Sequence, residues 1–173
     1  ENGIAAFVLI YRLKPKEALQ DAQRALSLVR FGSNEFGINP EKIGVIGFSA
    51  GGHLAANLAT HFEKDDMIDK IDSTSCKPNF MIQVYGAVAE FTNDVSKETS
   101  PTYLVHAGDD SRVPVSQSID FYKALKKNGV PAELHVYEKG EHGFALRENK
   151  LPIKNWANSC LDWLAGQNII TNR

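Results

Sequence analysis

Apolar positions fall along the chain in two alternating rhythms. Residues 4–11 form a continuous apolar run without alternation, the pattern of a strand covered on both faces, and predict a strand inside a parallel sheet. Pro15 suits a helix start. Leu19, Ala22, Leu26 and Val29 then recur at three- and four-residue steps until Gly32, which predicts an amphipathic helix with one face on the sheet. Asn39-Pro40 breaks the chain before a second short apolar strand at residues 43–48, and Leu54 and Leu58 mark a helix over residues 50–62. Residues 63–79 are rich in Asp, Lys and Ser and read as a surface connection. Residues 80–85 and 103–107 predict strands, residues 119–127 a helix closed by Asn128-Gly129, and residues 134–137 the last strand. A final helix carries Ile153, Trp156, Cys160, Leu161 and Leu164 on one stripe, with Trp156 and Trp163 anchoring it to the sheet. Strands alternating with helices mean βαβ units with right-handed crossovers. The expected fold class is therefore α/β, a mostly parallel sheet flanked by helices, with functional groups gathered beyond the carboxyl ends of the strands.

Composition narrows the function without naming it. At 173 residues the chain has the size of one domain, residues 1–173. Its net charge of -2, with acidic and basic residues interspersed, leaves no basic stripe for nucleic acid and no cationic face for a membrane surface. A small, neutral or mildly charged ligand fits better. No run approaches the roughly 18 apolar residues of a membrane span. Glu1-Asn2-Gly3 lead directly into an apolar run without an initiator methionine, so the domain is expected to be incomplete at its N-terminus, with an upstream segment outside this chain, and the compartment, cytoplasmic or secreted, stays open. Cys76 and Cys160 are too few for a disulfide framework or a metal cage. Asp65, Asp66 and Asp69 lack the alternating spacing and glycine of a calcium loop and read as a solvated acidic turn, so neither metal nor other cofactor is expected.

The strand-end rule selects three places with usable chemistry: Ser49, Asp109-Asp110 and Glu141-His142. Gly47-Phe48-Ser49-Ala50-Gly51 fits the G-x-S-x-G nucleophile elbow, in which serine sits on a strained strand-to-helix turn with its hydroxyl exposed. Gly47 and Gly51 are expected to be glycine because a side chain there would strike the neighbouring strand or helix. A serine hydroxyl needs a base to take its proton, and a histidine base needs a carboxylate to fix its tautomer. Ser49, Asp110 and His142 occur in the chain order of the α/β hydrolases, each after a different strand. Asp109 competes with Asp110 for the acid role. His53 reads as a packing or supporting residue at the first turn of the elbow helix, His106 as a satisfied core histidine, and His61 and His135 as surface or strand positions.

Three stretches, Gly47-Phe48-Ser49-Ala50-Gly51-Gly52-His53-Leu54, Leu104-Val105-His106-Ala107-Gly108-Asp109-Asp110-Ser111-Arg112-Val113-Pro114 and Tyr137-Glu138-Lys139-Gly140-Glu141-His142-Gly143-Phe144, resemble α/β-hydrolase esterases, above all bacterial carbohydrate esterases of the acetyl-xylan and feruloyl type. The likeness extends from Tyr11-Arg12-Leu13, similar to the end of that family's fourth strand, to its final helix at Trp156 and residues 160–164. It implies a Ser49-His142-Asp110 triad, Asp110 being selected over Asp109 by its Asp-x-x-Val-Pro context. It also implies the Ala50 N–H as an oxyanion donor, an acyl-serine intermediate and esters of carbohydrate alcohols as substrates; short acyl groups are expected because nothing in the chain reads as an apolar lid for a long fatty tail.

Such enzymes carry further N-terminal strands and a His-Gly-Gly-type oxyanion loop, neither of which precedes Ile4 here. In their strand order a third strand lies between the strand expected at residues 4–11 and the elbow strand, so these two either pair directly or flank another segment. The short connection at residues 88–100 predicts an open, shallow pocket. Two alternatives share the motifs: a prolyl-oligopeptidase-type serine peptidase, and a weakly active or inactive truncated hydrolase with a binding role.

Overall fold

The computed structural model describes residues 3–64, 68–148 and 150–171. Four strands, β1 (Val45–Phe48), β2 (Met81–Val84), β3 (Thr102–Ala107) and β4 (Ala132–Tyr137), lie side by side in chain order, every neighbouring pair parallel. The helices are α1 (Pro15–Phe31), the single turn α2 (Ser33–Phe36), α3 (Ala50–Thr60), α4 (Ser116–Lys127) and α5 (Trp156–Gly166). Short 3₁₀ turns stand at Pro40–Lys42, Ala89–Phe91 and Pro152–Asn155. Ile153 belongs to the last of these, so the expected final helix begins three residues later, at Trp156.

Alternation along the two central strands sorts side chains between two apolar layers. Ile82, Val84, Tyr103, Val105 and Ala107 pack with Trp156, Cys160, Trp163 and Leu164 of α5. Met81 and Leu104 point the other way, into a layer with Ala55, Ala56 and Ala59 of α3 and Phe121 and Leu125 of α4. Burial on both faces explains why β2 and β3 are so apolar, and full enclosure of side chains such as Phe121 and Leu104 contributes about 1.5–3 kcal/mol each. The apolar stripe of α1, Ala18, Ala22 and Leu26, meets Leu54 and Leu58 of α3 and Ile43 ahead of β1. The helix thus packs on a helix, not across the sheet as its periodicity suggested.

The strand expected at residues 4–11 does not form. These residues pair with no strand, and β1 is the edge of the sheet, so the two neither pair directly nor frame a described segment. Val8 and Ile10 are each 93% exposed. An unbroken apolar run is a strand only when another strand stands beside it to take its backbone hydrogen bonds, and no periodicity reports that neighbour. Of the acidic turn, Asp65 and Asp66 lie outside the described residues, while Asp69 accepts hydrogen bonds from Arg24, which joins the connection to α1. That pairing holds the Asp69 carboxyl well below the usual carboxylate range. Among the described residues no group of histidine, cysteine and acidic side chains could hold a metal ion, and no helix is long and apolar enough to cross a membrane.

Candidate active site

Parallel strands place all their carboxyl ends on one rim, so the residues following β1, β3 and β4 converge without being near in sequence. Ser49 follows β1 directly with φ 52° and ψ -116°, a conformation that L residues rarely adopt. Two bonds hold the turn: the Ser49 N–H donates to the Val84 carbonyl of β2 at 3.0 Å, and the Ser49 carbonyl accepts the His53 N–H at 3.0 Å. Gly47 is needed because a Cβ there would lie 2.0 Å from the Gly51 carbonyl oxygen. Gly51 corrects the expectation, since a Cβ there meets nothing within 4 Å. The tight position is Gly52, where a Cβ would come within 2.9 Å of the Gly86 Cα. Phe48, half-buried, sets its ring 6.1 Å from those of Tyr85 and Trp156 and packs the elbow onto the α5 layer. Ala50 opens α3 at the surface, and its N–H is among the first-turn amides that have no intrahelical partner.

Ser49 Oγ stands 2.8 Å from His142 Nε2, and His142 Nδ1 stands 2.7 Å from Asp110 Oδ2. An ionised carboxylate can only accept, so Nδ1 carries the proton and Nε2 is left to accept the serine hydroxyl. The Asp110 side chain is wholly buried and that of His142 is 12% exposed. Burial alone would raise the Asp110 pKa. The Val113 N–H, the His142 ring and the Arg112 N–H outweigh it and hold the carboxyl below its ordinary value, so Asp110 is ionised at neutral pH. Both backbone N–H groups reach Oδ1 at 2.9 Å, which fixes the carboxylate plane and leaves Oδ2 for the imidazole.

His106 lies behind this chain as a buried residue of β3. Its Nε2 is 3.0 Å from the Val113 carbonyl and 3.2 Å from Asp110 Oδ2. A carbonyl only accepts, so Nε2 bears hydrogen and is a further donor to Asp110, while Nδ1 accepts the Ser118 hydroxyl at 2.7 Å. Burial pushes the His106 pKa below its usual value against the opposing pull of Val113 and Asp110. The same buried layer holds Gln83, whose amide donates to the Gly86 carbonyl at 3.0 Å. Gln83 and His106 carry a signal visible beforehand: each is a polar residue in an otherwise apolar strand, and such a residue is costly to bury unless it is bonded. The approach of His106 to Asp110 was not legible.

The His142 ring bonds Asp110 and not Asp109. Asp109 Oδ1 instead accepts the Gly140 and Glu141 N–H groups at 2.9 and 2.8 Å. On the opposite side the Tyr85 ring meets the His142 ring edge-on at 4.9 Å. His53 supports the rim, with Nδ1 3.0 Å from the Ala87 carbonyl and Nε2 3.0 Å from Glu90. His61 is a surface residue, 3.7 Å from Asp94, and His135 sits in β4 beside Glu133. Cys76 and Cys160 are buried free thiols; burial raises the pKa of both, that of Cys160 to about 12, so neither is a thiolate nucleophile at neutral pH.

The chain as a whole is similar to known proteins. A model of the Dienelactone hydrolase family matches residues 5–170. The chain is 28% identical to an acetylxylan esterase of Xylanibacter ruminicola, over 84% of the chain and 35% of that protein. It is 27% identical to endo-1,4-beta-xylanase B of Butyrivibrio fibrisolvens, over 90% of the chain and 30% of that protein. The chain therefore spans about a third of the length of these curated relatives. Among solved structures, an acetyl ester-xyloside bifunctional hydrolase from Caldicellulosiruptor lactoaceticus superposes with a TM-score of 0.89 at 38% identity, covering 95% of this chain and 72% of that one.

Proposed function

The chain belongs to the dienelactone hydrolase family of α/β hydrolases, and from that premise we propose that it is a serine esterase cleaving short, acetyl-sized esters carried by carbohydrate alcohols. The observation that carries this reading is the unbroken hydrogen-bonded chain from the Ser49 hydroxyl through His142 to the buried Asp110. The acetyl and carbohydrate parts draw on the acetylxylan esterase and the acetyl ester-xyloside hydrolase to which the chain is similar.

In the proposed mechanism His142 Nε2 takes the hydroxyl proton as Ser49 Oγ attacks the ester carbonyl carbon. Asp110 keeps the imidazole in the Nδ1–H tautomer and stabilises the imidazolium that forms. Negative charge developing on the carbonyl oxygen is met by the Ala50 N–H at the positive end of α3. Collapse expels the alcohol, which receives the proton from His142, and leaves an acyl-Ser49. Water, deprotonated by His142, then releases the carboxylic acid and restores the hydroxyl. A donor of the Ala50 kind typically contributes about 10²- to 10³-fold to kcat. Every protonic step uses side chains already in hydrogen-bond contact.

The test is turnover of a small chromogenic acetate ester by the Ser49→Ala variant, run beside a peptide amide. Loss of about 10⁴-fold or more, with aryl acetate strongly preferred over amide by the unaltered protein, is expected. Retained turnover in the variant would overturn the mechanism.

A further inference from the structure

The two adjacent aspartates after β3 divide the task of presenting His142, and this deepens the esterase reading above, on which it rests. Asp110 reaches the ring, whereas Asp109, exposed at the surface, turns to the backbone and caps two consecutive N–H groups, Gly140 and Glu141, immediately ahead of His142. The segment it holds is strained. Glu141 has φ 56° and Gly143 φ 85°, so the histidine stands between two residues in the left-handed region, one of which carries a side chain. Strained backbone persists only where its surroundings over-determine it, and two charge-assisted hydrogen bonds from a residue 31 and 32 positions away do so from outside the segment. The Gly108 N–H adds a bond to the Tyr137 carbonyl at 2.7 Å, which locks the loop after β3 to the end of β4.

We infer that Asp109 is a positioning residue: as an acceptor for the Gly140 and Glu141 N–H groups, it holds the loop after β4 so that His142 Nε2 stays within reach of Ser49 Oγ. The acceptor oxygen matters more than the charge, because both bonds end on a single oxygen, Oδ1. Asparagine retains such an oxygen and alanine does not.

The experiment compares Asp109→Ala, Asp109→Asn, Asp110→Asn and Ser49→Ala on a small aryl acetate, with kcat and KM resolved and folding checked by circular dichroism. Displacing a catalytic group by a fraction of an ångström to one ångström costs on the order of 10- to 100-fold. Asp109→Ala is therefore expected to lose about 10-fold in kcat at nearly constant KM. Asp109→Asn should recover most of that loss, while Asp110→Asn stays inactive because its amide cannot serve the His142 Nδ1–H in the same way. Hydrogen exchange supplies a second measurement, on the unaltered protein and on Asp109→Asn: the Gly140 and Glu141 amides should exchange slowly in both. Unchanged kcat in Asp109→Ala, an Asp109→Asn variant as impaired as Asp109→Ala, or fast exchange of both amides in the unaltered protein would each overturn the inference. Full activity of Ser49→Ala would instead remove the esterase reading beneath it, so the two failures are distinguishable.

Discussion

At the scale of single residues the rim depends on groups whose protonation the fold fixes. His106 is buried neutral with a lowered pKa, whereas an unfolded histidine titrates near about 6.5. Below that pH the unfolded chain binds a proton that the folded one refuses, so stability is complete above about pH 6.5 and is lost as pH falls toward the lowered value, by at most about 1.4 kcal/mol per pH unit for one proton. Thermal unfolding between pH 7 and 5 should show this slope, and His106→Gln, which keeps an N–H for Asp110 but does not titrate, should flatten it; an unchanged slope would contradict the assignment. Asp110 has the same sign in a lower window. Its depressed pKa contributes stability above the ordinary carboxylate value of about 3.9, and that contribution disappears as pH falls through the lowered one. Ser49, Asp110 and His142 were legible because each follows a strand within a motif. His106 was legible as a bonded core histidine but not as a donor to Asp110, and Asp109 was not legible as a cap on the loop after β4: each takes that meaning from partners that only the fold brings near.

At the scale of elements, the nucleophile elbow is a close approach of two backbones, and the glycines that matter are those at the contact. Gly52 of α3 faces Gly86 beyond β2 with room for no Cβ, whereas Gly51 faces open space. Gly52→Ala is predicted to lower stability by about 1–3 kcal/mol through overpacking. Gly51→Ala should be neutral or stabilising by up to about 1 kcal/mol, since alanine is the better helix former. Thermal melts of the two variants decide the matter, and equal destabilisation would contradict the contact geometry. A G-x-S-x-G pattern treats Gly47 and Gly51 alike, although only Gly47 is crowded, and it does not reach Gly52. Helical periodicity had the same limit with α1: the stripe of Ala18, Ala22 and Leu26 specifies a buried face, but its spacing is equally satisfied by α3 or by a sheet.

At the scale of the whole molecule, parallel pairing in the order β1-β2-β3-β4 makes three remote loops one rim. The alternation of strand and helix made that architecture legible, because few other arrangements cover both faces of such apolar strands. The apolar run at residues 4–11 misled for the complementary reason: its side chains are apolar, yet Val8 and Ile10 are almost fully exposed. Val8→Lys and Ile10→Lys should each shift the stability of the 173-residue chain by no more than about 0.5 kcal/mol, measured by denaturant unfolding; a larger loss would mean that the run is packed after all. The central claim concerns the rim itself, that Ser49 is a hydroxyl activated by His142 against Asp110. Labelling of the folded protein with a fluorophosphonate, followed by peptide mass mapping, tests it most directly. Rapid modification of Ser49, slowed by orders of magnitude in a His142→Ala variant, is the predicted result, and an unlabelled Ser49 in folded protein, or labelling indifferent to His142, would contradict it.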